Sequence, residues 1–168
     1  MVAAEAARPR AARRPLRACV GIIPRSHQLI TIPISHFCEK ARWALDRAAV
    51  PYEERRHIQF VHVLAAKRAG GGTTVPVLVT GTGRASGESE EILRWADAQV
   101  APDRRLYGGA DPEAASFTRW LDDGFGPAGR LWMYEQTLPV LKQMRPWALA
   151  GTPRWERIGF KVMSPLVD

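Results

Sequence analysis

The sequence has few cysteines, and their placement does not suggest a disulfide framework. Cys19 and Cys38 are the only two cysteines in 168 residues, and the four histidines do not stand at the spacing of metal ligands. A disulfide-stabilised fold or a zinc site needs more such residues at short, regular intervals. We therefore expect no metal, and the low cysteine content fits a reducing, cytoplasmic location.

Long hydrophobic runs are also missing, as is a basic surface on the part of the chain with a folding pattern. No apolar stretch approaches the roughly 20 residues that cross a bilayer, so we expect no membrane partner. The net charge of +7 is concentrated at the start, because residues 1–26 contain six arginines and one glutamate. Nucleic-acid binding requires basic side chains clustered on a folded face, so we expect no nucleic-acid partner. We predict that residues 1–26 are a disordered leader.

The hydrophobic pattern from residue 27 onward predicts an α/β domain. Short apolar runs alternate with stretches of helical spacing. The predicted strands are 27–32, 52–58, 75–79 and a short fourth strand near residue 85, and the predicted helices are 38–49, 60–69 and 88–99. This βαβ–ββα order predicts a thioredoxin-like domain over residues 27–100, with a four-stranded mixed sheet.

The remainder of the chain is predicted to be helical, after a polar linker at 101–110. Asp111 before Pro112 is a strong helix start, an N-cap acid followed by a proline in the first turn. The apolar stripe that follows should be kinked or broken by three residues, Gly124, Gly126 and Pro127. Residues 111–168 are therefore predicted as a partial, all-α C-terminal domain.

Three motifs in the α/β segment carry the chemistry. They are Ser35-x-x-Cys38 at the first helix, Thr74-Val75-Pro76-Val77-Leu78 at the third strand, and Gly87-Glu88-Ser89-x-x-Ile92 at the last helix. In this order and spacing, residues 27–100 resemble the N-terminal domain of the glutathione S-transferase superfamily. The later residues are similar to the start of its helical domain. The resemblance implies that glutathione is the co-substrate.

Ser35 is the candidate catalytic residue. It stands where serine-type members of the superfamily place a hydroxyl that donates a hydrogen bond to the glutathione thiolate. A serine just before a helix can equally be an N-cap with no other role. Cys38 occupies the second position of a C-x-x-C motif whose first position is Ser35, so it is either a small buried hydrophobe or a reactive thiol.

The other candidate residues would hold the peptide part of glutathione. The resemblance implies that the backbone at Val75 and Pro76, in a cis-proline turn, pairs with the cysteinyl part. Glu88 and Ser89 would hold the γ-glutamyl ammonium and carboxylate groups. Four candidates for the glycine carboxylate remain open: His57, Gln59, Lys67 and Arg68.

The expected function is conjugation of glutathione to a small electrophile, as in detoxification, by a protein that is expected to be a homodimer. Two alternatives remain. One is a glutathione-dependent thiol transferase that uses Cys38. The other is a non-catalytic binding module, or a fragment, because the helical segment is shorter than is usual in the superfamily. Such a short segment should leave Trp132, Leu138 and Trp147 partly uncovered.

Overall fold

The computed structural model describes residues 26–107 and 112–163, with side chains up to residue 161. The predicted disordered leader therefore lies almost entirely outside the described residues, as does the N-cap predicted at Asp111. Within the described ranges, a mixed β-sheet with three helices comes first, and a series of helices follows. We call residues 27–100 the sheet domain and residues 112–163 the helical region.

The sheet has four strands in the order β2-β1-β3-β4. Their bounds are β1 His27–Thr31, β2 Tyr52–Arg56, β3 Val77–Val79 and β4 Ala85–Ser86. β1 pairs with β2 in parallel, and β3 pairs antiparallel with both β1 and β4. The mixed four-stranded sheet and the order of its elements confirm the predicted thioredoxin-like architecture.

Three helices pack on this sheet: α1 His36–Arg47, α2 His62–Arg68 and α3 Ser89–Asp97. α1 begins after Ser35, whose side chain caps it, and it ends shortly before Pro51. A residue before proline avoids the helical region, which explains this stop. α2 ends where Gly70 adopts a positive φ of 82°, a conformation that suits glycine.

The core lies on both faces of the sheet because successive strand residues point to opposite sides. Leu29 and Leu78 pack with the apolar faces of α1 and α3, whereas Ile30 and Val77 pack with Ala66 of α2. Among the described residues, every buried hydrophobic side chain lies between Leu29 and Ala96. The sheet domain therefore holds the hydrophobic core.

The helical region contains four α-helices. They are α4 Pro112–Trp120, α5 Gly126–Thr137, α6 Leu141–Ala148 and α7 Arg154–Met163. The break expected near Gly124 is a π-helical turn over Leu121–Phe125 that joins α4 directly to α5. Pro127 falls in the first turn of α5, where its missing N–H is tolerated. At the glycines and the proline the helix type therefore changes, but the helical run does not end.

Large apolar side chains of the helical region are exposed. Trp132, Leu138 and Trp147 each expose more than half of their surface, which confirms the sequence expectation that they are partly uncovered. In the part of the chain that the structure describes, no helix combines the length and the apolarity that crossing a bilayer requires.

Candidate functional site

The three motifs meet at one end of the sheet. Ile30 of β1 pairs with Val77 of β3, so the end of β1 and the start of β3 lie side by side. Leu78 of β3 pairs with Ser86, so the end of β4 lies there as well. Ser35 follows β1, Val75–Pro76 precedes β3, and Glu88–Ser89 follows β4. The strand register therefore brings the predicted site residues to a common end of the sheet.

Ser35 is the N-cap of α1. Its backbone is extended, and its Oγ accepts a hydrogen bond from the Cys38 N–H at 3.3 Å. A hydroxyl has one proton to donate and two lone pairs to accept with. Capping uses one lone pair, so the cap and the donation of the proton to another group are compatible. The two interpretations of Ser35 are therefore not exclusive.

Cys38 is fully buried in the first turn of α1. Burial raises the pKa of its thiol above the ordinary value, and hydrogen bonds from Ser35 and Ile32 only partly oppose this. Reactive cysteines are partially exposed and have a lowered pKa. The environment of Cys38 is that of a structural thiol.

The Val75–Pro76 peptide bond is cis, as the resemblance implies. Val75 is half-buried and Pro76 is fully buried. In the described loops and turns, no backbone hydrogen bond engages the N–H or the C=O of Val75. These two groups lie just before β3, at the end of the sheet where Ser35 also lies.

The glycine-rich stretch before this turn has a packing role. A Cβ added to Gly87 would lie 2.7 Å from the carbonyl oxygen of Gly71, and a Cβ added to Gly71 would clash with the Val77 side chain. A side chain at Gly87 would push the two loops apart, and one at Gly71 would displace Val77 of β3. Gly87 therefore lets the start of α3 approach the loop before β3, and Gly71 lets that loop pack on Val77.

Glu88 and Ser89 begin α3, as the sequence predicts. Glu88 is the N-cap residue, it is exposed, and its side chain makes no cap hydrogen bond. Ser89 is the first helical residue and is buried. The N-terminus of a helix carries free N–H groups and a partial positive charge, which favour an anion.

The candidates for the glycine carboxylate lie on and before α2. His57 Nδ1 is 2.6 Å from Oε1 of Glu156 in α7. Gln59 is exposed in the turn before α2. Lys67 and Arg68 are exposed in the last turn of α2, at the far end of that helix from His57 and Gln59.

The helical region contacts α1 beside Ser35. A Cβ added to Gly126 of α5 would lie 3.0 Å from the Phe37 ring, so the absence of a side chain allows this approach. The Arg130 guanidinium lies 5.5 Å from the centroid of the same ring. Burial lowers the pKa of His36, and the charge of Arg130 lowers it further, which favours the neutral imidazole.

Ionic contacts that the sequence does not reveal orient these elements. Lys40 Nζ of α1 lies 2.8 Å from Asp122 in the π-helical turn and 3.2 Å from Glu90 in α3. Burial lowers the pKa of Lys40, but these two acids outweigh it and leave the pKa above its usual value. The only sequence signal was a lysine outside the apolar stripe of α1, which is typical of any exposed position.

A second missed group lies beneath the β1–α1 turn. Arg42 Nε contacts Glu54 at 2.6 Å, and Arg42 Nη2 donates to the Ile32 carbonyl at 3.1 Å. Thr31 Oγ1 donates to the same Glu54 carboxylate at 2.7 Å. These bonds fix the chain just before Ser35.

A cavity of about 590 Å³ in the helical region is open to solvent. Its lining comes from α4: Glu113, Ala114, Ser116, Phe117 and Trp120. No predicted site residue lines it. Across residues 26–107 and 112–163, no group of three His, Cys, Asp or Glu side chains is placed to hold a metal ion.

Comparisons with known proteins support the family assignment. Residues 29–104 match the family described as the N-terminal domain of glutathione S-transferase. A Tau class glutathione S-transferase from mango, Mangifera indica, superposes with a TM-score of 0.50 at 21% identity. That match covers 61% of this chain and 48% of the mango protein, so the chain spans about half of that relative's length.

A second solved structure is more distant. Glutaredoxin 2 from Salmonella typhimurium, solved in complex with glutathione, matches with a TM-score of 0.40 at 16% identity, over 85% of this chain and 67% of that one. No curated protein matches the sequence. The family match covers residues 29–104, and the mango structure shares the thioredoxin-like fold, so this domain is similar to the N-terminal domain of glutathione S-transferases.

Proposed function

We propose that the chain binds glutathione at the end of the sheet where the three motifs meet, and activates its thiol for attack on a small electrophile. The observation that carries the proposal is the geometry of Ser35. Its Oγ accepts from the Cys38 N–H, and the hydroxyl proton, which also faces the Cys38 sulfur, can turn to a bound thiolate. The free N–H groups at the start of α1 add positive potential at the same place.

Glutathione supplies the reactive sulfur in this proposal. A thiol with a pKa near 8.5 is mostly protonated at neutral pH, and the thiolate is the attacking form. A hydrogen bond from Ser35 favours the charged form and lowers the pKa of the bound thiol. Serine donates and does not itself attack.

The backbone before β3 and the start of α3 would hold the rest of the ligand. The N–H and C=O of Val75 suit an extended peptide added beside β3. The N-terminus of α3 with Ser89 suits the γ-glutamyl carboxylate, and the exposed Glu88 suits the ammonium group. The electrophile would approach from the side where α5 contacts His36 and Phe37.

Three substitutions at Ser35 separate capping from catalysis. Ser35→Ala removes the cap and the proton donor and should cost about 1 kcal/mol of stability. Ser35→Gly also removes the hydroxyl, but it costs only a few tenths of a kcal/mol as a cap. Ser35→Thr keeps the hydroxyl and is the matched control.

We expect Ser35→Ala and Ser35→Gly to lower glutathione conjugation of an activated aryl halide by roughly a hundredfold, the effect of losing one well-placed donor. Ser35→Thr should retain most of the activity. The pKa of the bound thiol, followed by thiolate absorbance, should rise in the first two variants. Full activity in Ser35→Gly would remove Ser35 from the mechanism.

The thiol-transferase alternative requires Cys38 to be exposed and to have a lowered pKa. A Cys19→Ser variant leaves one thiol to follow with a disulfide reagent. Because Cys38 is buried and its pKa is raised, we expect slow labelling of the native protein and fast labelling after denaturation. Fast labelling of the native protein would favour the alternative.

A homodimer in a cytoplasmic location is part of the proposal. Exposed apolar side chains on α5 and α6 are its physical support, since large apolar patches mark interaction sites. Sedimentation velocity should give a species of twice the chain mass.

Glutathione binding without conjugation of any electrophile would instead favour a non-catalytic binding module.

A further inference from the structure

A buried carboxylate of the helical region, Glu156, contacts the sheet domain and has no role in the function proposed above. The side chain of Glu156 has no exposed surface. Its Oε1 is 2.6 Å from His57 Nδ1, and its Oε2 accepts from the Ile58 N–H at 2.8 Å. Both oxygens of Glu156 therefore hold one short segment.

This segment, residues 57–61, has a fixed shape, and we call it the clamped segment. The His57 N–H donates to the Thr31 carbonyl at 2.9 Å, and the His62 N–H donates to the Ile58 carbonyl at 3.0 Å. Phe60 lies between these bonds with φ 73°, which is rare for an aromatic residue. Such a conformation persists where neighbouring contacts over-determine it.

The clamped segment lies at the end of the sheet that carries the candidate site. β1 and β2 run in parallel, with Thr31 opposite Arg56, so the chain leaves both strands at the same end. Ser35 follows β1, and the clamped segment follows β2. The Thr31 carbonyl, which accepts from His57, is four residues before Ser35.

The order of the strands indicates which part of glutathione would lie near the clamped segment. In the order β2-β1-β3-β4, the start of α3 follows β4 on one side, and the clamped segment follows β2 on the other. Ser35 and Val75 lie between them. A tripeptide with its γ-glutamyl group at α3 and its thiol at Ser35 therefore extends its glycine toward β2.

We propose that Glu156 is a positioning residue for glutathione: from α7 it fixes the clamped segment against which the glycine carboxylate binds. This inference rests on the proposed function. It makes the helical region part of the glutathione site, although the three motifs all lie in the sheet domain. Loss of Glu156 should therefore weaken the binding only of ligands that carry the glycine residue.

The test compares glutathione with γ-glutamylcysteine, which lacks the glycine, by calorimetric titration of the full chain. Glu156→Gln keeps the size of the side chain but removes its charge. We expect this variant to bind glutathione about tenfold more weakly, as for one lost hydrogen bond to a charged group. Its affinity for γ-glutamylcysteine should change less than about twofold, and the Ile58 amide should exchange faster in the ligand-free protein. Glu135→Gln, an exposed change on α5, should alter none of these values.

The outcomes distinguish the inference from the function on which it rests. An equal loss of affinity for both ligands, or no loss for either, overturns the positioning role while the glutathione site stands. Failure of the unchanged protein to bind either ligand overturns both. If Glu156→Gln does not fold, His57→Gln is titrated with the same two ligands, and an unselective effect there also overturns the inference.

Discussion

In the sheet domain, Leu29, Leu45 and Leu78 have no exposed surface, whereas Leu131 and Trp132 of the helical region are 72% and 66% exposed. Both regions contain apolar residues at helical spacing. In the sheet domain these residues face a sheet that covers them. In the helical region, successive helices contact mainly the neighbouring turns, and much of the apolar stripe faces outward.

The two regions are joined by charged contacts as well as by apolar ones. Lys40 contacts Asp122, and Glu156 contacts His57 and Ile58. Such contacts depend on direction, so they fix orientation more strictly than an apolar contact of the same size. The sheet domain is therefore stabilised by its own core, whereas the helical region depends on a few polar contacts to hold its position beside the site.

A leucine-to-alanine substitution should have the largest difference in its effect on the free energy of unfolding between the two regions. Leu78→Ala opens a cavity in the core and should lower the free energy of unfolding by about 2–5 kcal/mol. Leu131→Ala removes an exposed side chain and should change it by no more than about 0.5 kcal/mol. Urea denaturation of both variants measures the two values.

A loss of more than about 2 kcal/mol in Leu131→Ala would contradict the exposure of this side chain. It would mean that a further partner, such as a second copy of the chain, covers α5 in solution. Repeating the denaturation over a range of protein concentrations would then reveal a concentration-dependent midpoint.

Removal of the Lys40 anchor should have a smaller effect, concentrated in the helical region. Lys40→Met leaves Asp122 and Glu90 without their shared cation and should cost roughly 1–2 kcal/mol, between an exposed and a buried ion pair. Amide exchange should accelerate in α4 and α5 more than in the strands. Arg94→Met, which removes an exposed partner of the same Glu90, is the control and should cost about 0.3–0.5 kcal/mol. Equal acceleration in the strands would show that Lys40 stabilises the sheet domain itself.

Most of the sheet domain could be predicted from the sequence because its signals are local and periodic. The apolar run at Leu29 and Ile30, the serine before α1 and the glycines after α2 each act over a few residues. The order of elements then leaves few ways to build the sheet. The meeting of the three motifs follows from that order.

The contacts between regions could not be predicted, because they join residues far apart in the chain. Glu156 lies 99 residues from His57, and Asp122 lies 82 residues from Lys40. Neither acid differs in sequence from an ordinary acid on a helix surface. The π-helical turn was also missed, since glycine and proline at 124–127 predict a break and tertiary packing decides how the chain accommodates them.

The smallest expected effect is an acid sensitivity of the sheet domain at His62. Burial lowers the pKa of His62, and the nearby His57 lowers it further, against a hydrogen bond to the Ile58 carbonyl that raises it. The unfolded chain therefore binds the proton more readily than the folded one. The stability that this group contributes is fully present above pH about 6.5 and is lost as the pH falls through the lowered value.

NMR titration of the His62 ring should give a pKa below 6.5. The difference in free energy of unfolding between the unchanged protein and His62→Gln should narrow between pH 7 and pH 5. Amide exchange in α2 should rise before that in α5, and the reverse order would mean that the helical region is the acid-sensitive part.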